Sequence, residues 1–258
     1  MKAPRRPTLL ILGGTGEAAA LARNAVARFG DGLLVVTSLA GRTASPAPLP
    51  GAVRSGGFGG ADGLATYLRE TSIDLVVDAT HPFAAQISRH ARLACDATGT
   101  ARIALVRPPW RREGSDRWIA VPDMAAAARA LPGLGRRALL TIGARELDAF
   151  AACEGVAFVV RLMEQPRAPP KLAGAALVLA RPPFSLDEER LLLHRHGIEI
   201  VVAKASGGAR PAKLDAAREV GLPVLLVERP PSEPGPSVAS VADTIAWIGT
   251  QIGVEARA

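Results

Sequence analysis

The sequence predicts an α/β protein of two Rossmann-like domains, each a mainly parallel sheet flanked by helices, with an active-site cleft between them. Three observations predict it. Short, continuously apolar runs alternate with segments of helical periodicity from end to end; a glycine turn joins the first run to the first helix; and the alternation stutters once near the middle before starting again. At 258 residues the chain exceeds the usual single-domain size and can bury two modest cores.

In order, residues 8–12, 33–37, 74–78 and 103–106 read as strands of a βαβ series. The pattern stutters at Pro108-Pro109-Trp110, and after 118–121 an Ala-rich helix opens with Asp123 as its N-cap, which puts the domain boundary near residue 120. The first domain is therefore 1–120 and the second 121–258. In the second, 138–141, 157–160, 176–179, 199–203 and 224–227 read as strands, and 185–196, 211–220 and 238–252 as helices. The run Pro230-Pro231-Ser232-Glu233-Pro234-Gly235-Pro236 reads as a stiff connector, so the last helix could cross back onto the first domain, a point the sequence leaves open.

The net charge of +7, from 31 basic and 24 acidic residues, attracts anions: phosphates, a polycarboxylate or nucleic acid. Nucleic acid is disfavoured, because the basic residues are dispersed and aromatics, at 4%, leave few stacking platforms. Cys95 and Cys153 form no Cys-x-x-Cys, so neither a disulfide framework nor a zinc site is expected. His194 and His196, two apart near a helix end, point to different faces and make no metal pair. The apolar run Leu9–Leu12 breaks at Gly13-Gly14, too short for a secretory signal, and no stretch reaches membrane-spanning length. A soluble, cytoplasmic protein is expected.

Gly13-Gly14-Thr15-Gly16-Glu17 lies between the first strand and the first helix and matches Gly-x-Gly-x-x-Ala at Gly14, Gly16 and Ala19. Glycines there let backbone approach a pyrophosphate, whose charge the free N–H groups and dipole of the helix stabilise. An acid at the end of the second strand would bind ribose hydroxyls and repel a 2′-phosphate. The sequence instead offers Thr37, Ser38 and Arg42, which favours NADPH over NADH. Two further loops suit a cofactor: Gly56-Gly57-Phe58-Gly59-Gly60, and Thr80-His81-Pro82, where Pro82 can start a helix. Either is also readable as a plain surface loop.

In the second half, Thr141-Ile142-Gly143-Ala144-Arg145-Glu146 follows a strand and precedes a helix, an arrangement that can bind a carboxylate or phosphate through Arg145 and backbone N–H groups. Arg161 ends another strand; like Arg145, it is equally readable as a structural ion-pair partner. Lys204-Ala205-Ser206-Gly207-Gly208 with Lys213 beyond it reads as an anion cradle, and it lacks the order of a P-loop.

Together the Leu10–Ala18 segment, the Gly56–Gly60 loop, Asp78-Ala79-Thr80-His81-Pro82-Phe83-Ala84, Ile142–Leu147 and Lys204–Gly208 resemble, in order and spacing, the precorrin-6A reductase family of cobalamin biosynthesis. The resemblance implies a two-domain enzyme in which NADPH delivers hydride to a double bond of the precorrin-6A macrocycle, giving precorrin-6B. It also implies roles. Gly13, Gly14, Thr15, Gly16 and Glu17 would hold pyrophosphate, Thr37, Ser38 and Arg42 the 2′-phosphate, and Gly57, Phe58, Thr80, His81 and Pro82 the nicotinamide end. Arg145, Arg161, Lys204, Ser206, Gly207, Gly208 and Lys213 would bind the carboxylates of the tetrapyrrole. For the accompanying proton, His81 is a candidate beside solvent or a substrate carboxyl. A cobalt-precorrin-6A substrate stays open, as does a non-catalytic nucleotide-binding protein. A short-chain dehydrogenase does not: its Tyr-x-x-x-Lys pair is absent, since the one tyrosine, Tyr67, is followed by Thr71.

Overall fold

The computed structural model describes residues 5–41, 48–166 and 168–254. The chain forms two compact units, one of Met1–Pro108 with Pro230–Ala258, the other of Pro109–Arg229.

The first unit opens with β1 (Thr8–Leu12), α1 (Gly16–Phe29), β2 (Leu34–Leu39), β3 (Ala52–Ser55), α2 (Gly60–Glu70), β4 (Leu75–Asp78), α3 (Ala85–Thr98) and β5 (Ala101–Leu105). The second unit holds β6 (Arg117–Val121), α4 (Met124–Ala130), β7 (Arg137–Leu140), β8 (Ala157–Leu162), β9 (Ala176–Leu179), α5 (Leu186–Arg195), β10 (Ile200–Lys204), α6 (Ala212–Glu219) and β11 (Pro223–Val227). The chain then returns to the first unit as β12 (Ser237–Val238) and α7 (Val241–Gln251).

All strand pairings are parallel. The first sheet runs β3-β2-β1-β4-β5-β12 and the second β9-β8-β7-β10-β11-β6. Every residue of β1 and β4 is buried, as strands covered on both faces must be. On one face Leu9, Ile11, Val35, Leu75 and Val77 meet Ala18, Leu21, Ala22 and Ala25 of α1 and Ile248 of α7. On the other, Leu10, Leu12 and Val76 meet Leu64 and Leu68 of α2 and Ala91 and Ala94 of α3. In the second unit Leu139, Val159, Val201 and Val224 pack against Leu193 of α5 and Leu214 and Ala217 of α6.

Side-chain caps set where helices start. Thr15 accepts from Ala18 N–H, Asp123 from Ala126 N–H and Ser240 from Asp243 N–H, while Ser185 and Glu188 form a capping box on α5. Among the described residues no helix is long and apolar enough to cross a membrane.

The chain passes into the second unit at Pro109, earlier than a boundary near 120 places it. β6, on the first-domain side of that boundary, pairs with β11 from Pro223↔Arg117 to Val227↔Val121. The proline pair at 108–109, rather than the strand after it, is where the backbone changes sheet. The last helix packs on α1, and the connector before it ends in a strand, with Ala104 N–H donating to Pro236 C=O at 3.0 Å. Pro82 is not the first residue of its helix: α3 begins at Ala85, after a turn in which Ala84 N–H donates to His81 C=O at 2.7 Å.

Candidate active site

In the first sheet the strand order reverses between β1 and β4, so the loops after them diverge at the carboxyl edge and leave a crevice, the usual ligand position in such sheets. Thr15 fastens the two loops, its hydroxyl donating to Ala79 C=O at 2.8 Å while accepting from Ala18 N–H at 3.1 Å. Gly14 has a φ of +102°, which side-chain-bearing residues rarely adopt, and a β-carbon added there or at Gly16 meets no atom of the described residues within 4 Å. With Ala18 N–H capped, the N–H groups of Gly16 and Glu17 have no partner among the described residues. Open space, two donors and a helix dipole are features that suit an anion.

The other residues of the turn differ. A β-carbon on Gly13 would stand 3.1 Å from Thr37 Cγ2, so Gly13 serves close packing of turn against β2. Glu17 would repel a phosphate, but its carboxylate accepts from Arg107, 2.5 Å away at the end of β5. Arg107 thereby offsets the Glu17 charge beside the turn.

At the end of β2, Thr37 is fully buried and its hydroxyl lacks a partner among the described residues. Its side chain faces the core under Gly13, which corrects its assignment to the phosphate. Ser38, on the opposite face of the strand, accepts from Arg54 Nη1 at 2.9 Å. Arg42 lies outside the described residues. Arg54 was missed by sequence reading. Its guanidinium also donates to the carbonyls of Gly56 (3.1 Å) and Gly57 (3.0 Å) and lies 3.8 Å above the Phe58 ring, which meets Tyr67 edge-on at 5.2 Å. The glycine loop is thus wrapped around an arginine, and Phe58 is its anchor. Gly63 permits this, because a β-carbon there would fall 1.8 Å from Phe58 C=O. The register Ser38↔Arg54 would have revealed the pair, but β3 is largely exposed and carries no apolar signature.

After β4, buried Asp78 accepts from Thr80 N–H (3.1 Å) and the Thr80 hydroxyl (2.7 Å), stiffening the loop. His81 Nδ1 accepts from Phe83 N–H at 3.2 Å, which assigns the ring proton of the neutral imidazole to Nε2. Pro82 lies in the turn between them and α3. Burial pushes the nearby Cys95 thiol up to about 12, so it is no nucleophile at neutral pH.

The second sheet reverses between β7 and β10, and both cationic segments singled out in this half flank that point. Their charges are less free than the sequence suggests. Glu146 folds its carboxylate over Gly143, where a β-carbon would lie 2.5 Å from Oε2, and Oε1 accepts from Lys204 Nζ at 2.6 Å. The anion seat expected on the Gly143 backbone is therefore covered by an acid, and the segment after it is a 3-10 turn rather than an α-helix. Arg161 makes two hydrogen bonds to buried Glu189, at 2.9 and 3.0 Å, and stacks on Phe184. That pairing removes it from the ligand-binding set. Arg145 is exposed and has no ion pair among the described residues. Gly207 and Gly208, with φ of 68° and 81°, turn the loop after Ser206, whose N–H donates to Lys204 C=O at 2.7 Å. Lys213 Nζ donates to the Thr141 hydroxyl at 3.0 Å. Burial, then the positive charge of Arg161, pull its pKa down to about 8 against the opposing pull of Glu189.

Comparison with known proteins bears on both units. The family model of precorrin-6x reductase CbiJ/CobK matches residues 8–249. The precorrin-6A reductases of Rhodococcus erythropolis and Rhodobacter capsulatus are 47% and 44% identical, covering 94% and 93% of this chain and 97% and 95% of their own. A cobalt-precorrin-6A reductase of Synechocystis is 30% identical over 88% of this chain and 90% of its own. The solved structure of a CobK precorrin-6A reductase superposes with a TM-score of 0.90 at 42% identity, over 97% of this chain and 99% of that one. With both sheets and both reversal points inside the matched span, the chain belongs to the precorrin-6x reductase family.

Proposed function

We propose that the chain uses NADPH to reduce one carbon–carbon double bond of precorrin-6A, giving precorrin-6B in cobalamin biosynthesis. The observation that carries the cofactor half is the uncovered backbone at Gly14 and Gly16 beside the N–H donors of Gly16 and Glu17. The metal-free macrocycle is favoured because the relatives of higher identity are precorrin-6A reductases.

NADPH supplies the hydride; the protein orients and neutralises. Gly16 and Glu17 N–H groups hold the diphosphate, with Arg107 quieting the Glu17 carboxylate. Ser38 near the end of β2 and Arg54 on β3 hold the 2′-phosphate of the adenosine ribose, a role supported by their pairing at the edge where such folds bind the ribose. Thr80 and His81, fixed by Asp78 and Phe83 N–H, border the nicotinamide end. In the second unit Arg145, Lys204 and Lys213 draw substrate carboxylates, and Lys204 can exchange Glu146 for one.

The direct test incubates the purified protein with NADPH and either metal-free or cobalt-loaded precorrin-6A, following nucleotide oxidation and the macrocycle spectrum. Oxidation with neither macrocycle refutes the reading. Arg54→Ala is expected to weaken NADPH by about 10-fold or more, the scale of one charge-assisted contact, with NADH little changed. Fluorescence titration of both nucleotides checks this, and equal losses would make Arg54 a loop scaffold only.

A further inference from the structure

We propose that Glu146 is a built-in stand-in for a substrate carboxylate: it occupies Lys204 until the macrocycle displaces it, and so restricts this part of the second unit to ligands that carry several carboxylates. This rests on the reductase reading above, and it makes Glu146 a specificity-determining residue rather than a structural partner of Lys204. No bond is made or broken; one carboxylate replaces another on the same ammonium.

The pair is open where another in the same unit is closed. Arg161 and Glu189 share two hydrogen bonds, with side chains only 9% and 2% exposed. Lys204 and Glu146 share one, at 2.6 Å, and the glutamate side chain is 31% exposed. Its Oε1 accepts from Nζ, while Oε2 takes no hydrogen bond among the described residues and lies over Gly143, where a β-carbon would stand 2.5 Å from it. A carboxylate offers about four lone-pair sites, so this one is held by a small part of what it can accept. Glu146 also rides on the 3-10 turn Ala144–Phe150, which buried Leu147 and Phe150 anchor. Its carboxylate therefore leaves by side-chain rotation, a fast motion, with the backbone in place.

Placement gives the exchange its use. Lys204 ends β10, and Lys213 places Nζ on Thr141, directly after the neighbouring strand β7, at the reversal of the second sheet where ligands enter such folds. The Thr141 N–H and hydroxyl both donate to Val202 C=O on β10, so the two strand ends are tied together. Stripping a half-buried ammonium of its partner is costly, whereas trading one carboxylate for another is nearly even, so Lys204 is satisfied with or without ligand. Tethering gives Glu146 an effective concentration of about millimolar or more. A small free acid competes with that through a single contact. A macrocycle already held by other carboxylates at Arg145 and Lys213 presents its next one tethered too, and meets Glu146 on equal terms. Selection for a polycarboxylate follows from the competition itself.

The test titrates wild type, Glu146→Gln, Lys204→Met and the double variant with metal-free precorrin-6A, read by the macrocycle spectrum, and with succinate, read by calorimetry. Glu146→Gln keeps the size of the side chain and removes its charge. It is expected to bind the macrocycle about 10-fold tighter or more, the scale of one charge-assisted contact no longer contested, and to bind succinate at concentrations where wild type does not. A gain is the deciding sign, since losing a merely structural partner weakens binding or leaves it alone. Lys204→Met is expected to lose about 10-fold or more, and adding Glu146→Gln to it should change nothing further. Unchanged or weaker macrocycle binding by folded Glu146→Gln, or a gain that persists without Lys204, overturns the proposal. Thermal unfolding verifies that the variants fold. Should Glu146→Gln fail, a crystal structure of the unaltered protein with the macrocycle decides: Lys204 on a substrate carboxylate supports the proposal, and Lys204 still on Glu146 refutes it. A wild type that binds the macrocycle without oxidising NADPH refutes the reductase reading alone, and one that binds no macrocycle removes both.

Discussion

Gly16→Val should lower NADPH affinity by about 100-fold or more while leaving the protein folded. The position separates binding from folding unusually well. Gly16 does not need a positive φ, and a β-carbon there meets no atom of the described residues within 4 Å, so the branched side chain enters space that none of them uses. Gly16 is the first residue of α1, so that side chain would stand at the helix start that is proposed to hold the diphosphate. A side chain there removes two hydrogen bonds to a charged group, each worth about 1.5–3 kcal/mol, and each 1.4 kcal/mol is about tenfold in affinity. Nucleotide titration together with thermal unfolding reads both halves. Unchanged affinity in a folded variant would mean that the turn holds no diphosphate. Gly14→Val would be a poorer probe, because the φ of +102° adds backbone strain to any loss of binding.

The second large effect is on stability. Arg161→Met is expected to cost about 3–5 kcal/mol, the scale for orphaning one member of a buried ion pair. Glu189 is 2% exposed and takes both its side-chain hydrogen bonds from that guanidinium, so its buried charge would lose them and keep only the weaker attraction of Lys213. For a chain of this length about 2–4 °C of Tm accompanies each kcal/mol, so a fall on the order of 10 °C should be visible by circular dichroism. Arg161→Met with Glu189→Met should recover most of it, since an apolar pair needs no compensation. If the single variant melts like wild type but binds the macrocycle poorly, Arg161 belongs with the substrate-binding residues after all.

The two effects mark where sequence was a good guide. Strands buried on both faces, such as Leu9-Leu10-Ile11-Leu12 and Leu75-Val76-Val77, are legible because burial on both sides forces an unbroken apolar run. Helix starts were legible at Asp123 through its capping side chain. Edge strands were not: β3 has one face in solvent and β12 has two residues, so neither needs an apolar signature. In the candidate site the glycine turn could be read because backbone conformation dictates residue type. Side-chain pairings could not. Lys204 with Glu146 is 58 residues apart, and Arg54 with Ser38 is joined by a strand register that the sequence does not display. Cationic residues therefore looked equally available in the sequence, although Arg161 is closed on Glu189 and Arg145 has no ion pair among the described residues.

The return of the chain at Pro230 governs the order in which it can mature on the ribosome. Residues 109–229 emerge as one uninterrupted stretch containing all six strands of their sheet, and so can close while the chain is still being made. The amino-terminal residues, although translated first, wait for the last ones: the amides of Ala104 and Val106 find their acceptors on Pro236 and Val238, and α1 gains its cover from α7. Until then the edge of β5 is an unpaired template open to other nascent chains, which makes a translational stall before residue 230 a specific aggregation hazard for this protein.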